Sequence, residues 1–149
     1  MIDILVYLFE NYQDFAAHPA PDALALKLNA LGFEENEISA ALAWLDELKT
    51  AHAEDFTCDP RSLRVFSLRE RQRISAESLD FLIFIEAAGV ITPVMRELIL
   101  DRCLALPDDP VSLGRFKIIV LMVLWSREQD LEPLIVEELL SASEGALAH

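Results

Sequence analysis

Lys117-Ile118-Ile119-Val120-Leu121-Met122-Val123-Leu124-Trp125-Ser126-Arg127 holds the longest uncharged apolar run of the chain, and its reading decides the fold. The run from Ile118 to Trp125 is far short of the ~20 residues that a spanning helix needs, and Lys117 and Arg127 bracket it closely. A helix that is apolar all round and too short for a membrane belongs in the interior of a globular domain. The stretch therefore predicts a core helix over about 113–127, capped by Ser112.

Outward from it, the second half of the chain reads as four helices: 76–88, 93–106, 113–127 and 131–140. Gly89 ends the first, Thr92 and Pro93 open the second, and Pro107 to Pro110 close it. The first half repeats the helical period. Leu5, Leu8, Phe9, Tyr12 and Phe15 predict a helix over about 1–15, and Pro21 opens a short one to Leu31. Gly32 stands where a left-handed cap is expected, with Phe33 packing back over it. The acids Glu34, Glu35 and Glu37 then suit the start of a helix whose Ile38, Ala41, Leu42, Leu45 and Leu48 form one face to about Thr50.

Between the halves the texture changes. Ser62-Leu63-Arg64-Val65-Phe66-Ser67 alternates polar and apolar at period two, which predicts a half-buried strand, with 89–92 as the candidate partner. Ser67 and Glu70 have the spacing of a capping box, which predicts a short helix directly after it. The expectation is a mainly α fold, a compact bundle of about six to seven helices with a short β element near 62–67. An N-terminal helical subdomain, 1–60, and a C-terminal one, 61–149, are expected to share one core.

Composition narrows the function. The chain has 149 residues, 53% of them hydrophobic, and a net charge of −14. That apolar content is too high for a disordered acidic tail, and the charge repels nucleic-acid phosphate and anionic lipid unless the cations are gathered in one place. They are gathered at 61–73, where Arg61, Arg64, Arg69, Arg71 and Arg73 stand against a single Glu70. Such a cluster either neutralises the chain's own carboxylates or meets an external anion or protein partner. Direct nucleic-acid binding is expected only through this segment. The Gly32–Phe33 turn also looks like the apolar loop of ubiquitin-associated modules, so both residues are candidates for a protein contact. The alternative of a DNA-reading helix from Glu35 fails on charge, because Glu35, Glu37, Asp46 and Glu47 would face phosphate.

Catalytic chemistry finds little footing. His52, Glu54, Asp55, Cys58 and Asp59 match no ordered metal-ligand spacing. There is no phosphate-cradling glycine loop and no nucleophile elbow. Cys58 and Cys103 lack a second Cys at two-residue spacing, which suggests reduced thiols. Asp3 and Glu10, with no preceding Lys or Arg, are wrong for a secretory leader. The expectation is a cytoplasmic protein without cofactor, metal, membrane or catalytic residues, acting through a protein partner.

Several segments together carry a family resemblance. The opening Ile2-Asp3-Ile4-Leu5-Val6-Tyr7-Leu8-Phe9-Glu10-Asn11-Tyr12, the Leu31-Gly32-Phe33 turn with Ala41-Leu42-Ala43-Trp44-Leu45, the Leu63-Arg64-Val65-Phe66 run and Gly89-Val90-Ile91-Thr92-Pro93 before Arg96-Glu97 resemble the bacterial Smg family over essentially the full length. The resemblance implies a cytoplasmic protein whose gene often neighbours genes of DNA processing and translation initiation, and it supplies no catalytic residues.

Overall fold

The computed structural model describes residues 1–12, 20–51, 65–106, 110–127 and 133–147, with side chains up to residue 140. Among these residues the chain forms eight helices: α1 (Ile2–Asn11), α2 (Pro21–Ala30), α3 (Glu35–Thr50), α4 (Leu68–Arg73), α5 (Ala76–Ala87), α6 (Pro93–Leu104), α7 (Leu113–Ser126) and α8 (Pro133–Leu147).

The apolar run is a helix, and it is enclosed. Phe116 and every residue from Ile118 to Trp125 are buried. A helix with no polar stripe needs neighbours on all sides, and α1, α3, α5, α6 and α8 supply them, while α2 packs on α3 and α4 on α6. Aromatic edges lock parts of this shell: Phe9 of α1 meets Trp125 at 5.6 Å and Phe81 of α5 meets Phe116 at 6.2 Å, both nearly perpendicular.

Helix ends follow the local chemistry. Ser67, Ser75, Thr92 and Ser112 each accept the backbone N–H three residues on. Gly32 and Gly89 take φ of +99° and +80°, the left-handed turn that ends α2 and α5. Helix α1 stops earlier than its periodicity suggests. Tyr12 N–H still donates to Leu8 O, but its backbone leaves in extended form, and the Asn11 side chain folds back to donate to the Tyr7 carbonyl at 2.8 Å.

The expected β element is corrected. Residues 62–64 lie outside the described residues, and 65–67 are irregular backbone leading into the α4 capping box. Their extended form serves the N-cap, which takes β-region dihedrals without needing a strand partner. Residues 89–92 are the capping turn of α5 followed by the N-cap of α6. The described residues contain no strand; their one bridge is parallel, between Ile74 and Val111. There Ser75 N–H donates to Val111 O at 3.1 Å and Val111 N–H to Arg73 O at 2.6 Å. Eight helices among the described residues stand against the expected six to seven, and the short helix expected after the Ser67 capping box is α4.

Enclosure of α7 sets the first expectation for mutagenesis. Leu121→Ala removes a fully buried side chain and is expected to cost about 2–5 kcal/mol, read from the midpoint of urea unfolding. A loss below ~1 kcal/mol would contradict the packing described.

Candidate functional site

The arginine segment resolves into unequal parts. Arg61 and Arg64 lie outside the described residues. On α4, Ser67 Oγ accepts Glu70 N–H at 3.2 Å while Glu70 Oε1 accepts Ser67 N–H at 2.8 Å, which fixes the first turn. Arg69 and Arg71 then face solvent. Two positions apart on a helix is a rotation of ~200°, so these two point to different sides, whereas Arg69 and Arg73 lie within ~40° of each other. Arg73 is half-buried and donates to the Leu106 carbonyl, beside the Ile74–Val111 bridge. Its guanidinium helps to hold a joint in the chain. Leu68 is exposed alongside, so α4 offers a mixed surface.

Gly32 is exposed and Phe33 half-buried. Phe33 N–H donates to Leu28 O at 3.3 Å, and the Phe33 ring packs 6.4 Å from Tyr7 of α1. The turn anchors α2 to α1 through Phe33 and turns Leu31 to solvent.

A buried cation, Arg102, lies at a position with no local sequence signal. Arg102 of α6 pairs with Glu47 at 2.9 Å and Asp101 at 3.0 Å, donates to the Trp44 carbonyl at 3.3 Å and lies 5.7 Å from the Trp44 ring centre. Trp44 Nε1 donates to the Arg102 carbonyl at 3.0 Å, in the last turn of α6 where carbonyls lack helical partners. This reciprocal pair binds α3 to α6. Next to it, the Cys103 thiol is sealed in the core, and burial pushes its pKa far above the usual thiol range. The possible metal cluster at His52 to Asp59, including Cys58, lies outside the described residues.

An open apolar groove lies between α5 and α8. Phe81, Phe84 and Ile85 of α5 line one wall, Leu134, Ile135, Glu138 and Leu139 of α8 the other, and Val120 of α7 with Val90 the floor; the cavity is about 190 Å³. Phe84 is 66% exposed, Leu134 76% and neighbouring Ile83 55%. Lys117 of α7 sits at the lip, its Nζ 2.8 Å from Glu138 Oε1 and 5.3 Å from the Phe81 ring centre. A signal for this site was present in the sequence. Phe81 to Ile85 is apolar at five successive positions, so a helix covered on only part of its circumference has to expose some of them.

Comparison with known proteins agrees with the arrangement of motifs. A family model described as "Protein of unknown function (DUF494)" matches residues 1–149. Relatives called "Protein Smg homolog" are 50% identical over 147 residues in Azoarcus sp. and 48% identical over 143 residues in Bordetella petrii. These alignments cover 97% and 94% of this chain, and 95% and 94% of the relatives. The chain belongs to the Smg family. The Smg homolog of Bordetella avium is 46% identical over the whole of both chains, so family membership extends through the helices that form the groove. No solved structure matches this chain.

The lip of the groove predicts a pH dependence. Hydrogen bonding and charge from Lys117 hold the Glu138 carboxyl below its usual pKa. A lowered carboxylate stabilises the fold above its unfolded pKa of about 4.3 and loses that contribution as pH falls through the lowered value. Glu138→Gln is therefore expected to melt below the parent at neutral pH, with the difference closing in acid. Thermal melts followed by circular dichroism across that range check it; a pH-independent difference would contradict the pairing.

Proposed function

We propose that this protein is a non-enzymatic accessory protein of the cytoplasm that works through protein–protein contacts. The observation that carries the reading is the exposure of Phe84 and Leu134, which line an open apolar cavity, with Ile83 exposed next to Phe84 in the chain. Large apolar side chains gathered on a surface cost solubility and mark places where another molecule is bound. Two further observations support it. Cys103 is enclosed and held protonated, which suits a packing role and not a nucleophilic one. Among the described residues, no helix is long and apolar enough to cross a membrane.

A photo-crosslinking amino acid in place of Phe84 tests the reading in growing cells. Discrete protein adducts are expected, and they should vanish when Leu134 is also changed to Asp. If positions 83, 84 and 134 all give no adduct, the reading fails.

A second reading, contact with nucleic-acid phosphate through the 61–73 segment, has one observation in its favour: Arg69 and Arg71 both reach solvent. Such binding weakens steeply with salt. Fluorescence anisotropy with single- and double-stranded oligonucleotides at low salt should then show salt-sensitive binding that Arg69→Glu with Arg71→Glu abolishes. Flat titrations at low salt would remove this reading.

A further inference from the structure

We propose that the groove between α5 and α8 docks a cationic amphipathic helix of a partner protein. The inference rests on the reading of the molecule as a protein-binding one and adds the site and the chemistry of the occupant. Three features of the groove carry it.

The walls are helices, whose backbone N–H and C=O groups are bonded within each helix. They offer no strand edge for an extended peptide, so recognition has to run through side chains. Phe81, Phe84 and Ile85 follow the i, i+3, i+4 pattern along α5, and Leu134, Ile135 and Leu139 face them from α8. The trough between two such rows on a third helix is the shape that receives the apolar ridge of another helix. The cavity of about 190 Å³ exceeds the ~150 Å³ that accepts a benzene ring, so a Phe or Leu anchor fits.

Charge selects among apolar partners. Neither α5 nor α8 contains a Lys or Arg, while Glu77, Asp80 and Glu137 are exposed on them. Asp80 lies one turn from Phe84, and Glu137 and Glu138 one turn from Leu134, so the acids border the apolar surface. On the helices packed against the walls, Lys117 pairs with Glu138 and Arg96 with Glu86 and Glu97, and Arg115, exposed at the start of α7, is not among the groove's lining residues. The rim is therefore net acidic. A second copy of this chain would bring the same acidic rim against it, and nucleic acid or anionic lipid would be repelled likewise. A helix with apolar anchors flanked by Lys or Arg satisfies both the trough and the rim.

The test uses the full chain and three fluorescent peptides of one length: an amphipathic helix with Leu and Phe anchors and Lys and Arg flanks, the same anchors with Glu flanks, and a scrambled cationic sequence. The first is expected to bind saturably, to weaken as salt rises, and to lose about tenfold or more with Phe84→Ala, the scale of one lost anchor. Asp80→Lys with Glu137→Lys should weaken it further, while Arg69→Glu on α4 should leave it unchanged. Phe84, Asp80 and Glu137 are exposed, so the variants keep the fold, which circular dichroism verifies. The inference is overturned if the Glu-flanked or scrambled peptide binds equally, if Phe84→Ala binds as the parent does, or if the parent is a dimer that Phe84→Ala dissociates. Adducts at position 84 in cells, with no binding of the cationic peptide, would overturn this inference and leave the protein-contact reading standing.

Discussion

A helix without a polar side has no stable place at a surface, and α7 is such a helix. Its burial from Phe116 to Trp125 requires a shell, and the apolar faces of α1, α3, α5, α6 and α8 exist to form one. This constraint orders the whole molecule, since each of those helices is turned by the stripe it presents to α7. It also explains the groove. Helices that surround a cylinder close tightly only where neighbouring side chains interdigitate, and α5 and α8 are separated by an open trough above Val120.

The same shell holds four of the chain's 12 Lys and Arg residues. Arg102 lies over Trp44 between Glu47 and Asp101, and Lys117 lies over Phe81 against Glu138. In both, an aromatic face covers the apolar side of the cation and a carboxylate meets its charge. Arg96 joins α6 to α5 through Glu86, and Arg73 donates to the Leu106 carbonyl just past α6.

Much of the helical plan was legible in the sequence because helix ends are local chemistry. The Ser67 box, the Thr92–Pro93 start, the Ser112 cap and the glycine turns at 32 and 89 depend on residues within one turn of each other. The strand failed for the complementary reason. Alternation around Val65 and Phe66 is a local pattern, yet a strand is defined by a partner far away in sequence, and the extended backbone here leads into a cap. Arginines were visible as a cluster, but their directions were not: Arg73 turns inward while Arg71 and Arg69 diverge around α4. Arg102 was invisible, because its partners Trp44 and Glu47 come from another part of the chain. Phe84 and Leu134 are ordinary apolar residues by composition, and only the position of α7 decides that they are left uncovered.

The Ile74–Val111 bridge has a topological consequence. By pairing backbone at the start of α5 and just before α7, it fastens the two feet of the α5–α6 hairpin to each other. Loop closure is then settled once, at the base, and contacts inside the loop form between segments already held together. Near its tip the hairpin is fastened a second time, by Arg96 of α6 to Glu86 of α5 at 2.8 Å. Val90, at the tip, is also part of the groove floor. The segment that shapes the trough is thus held between two clasps, the backbone bridge at the base and the ion pair beside the turn.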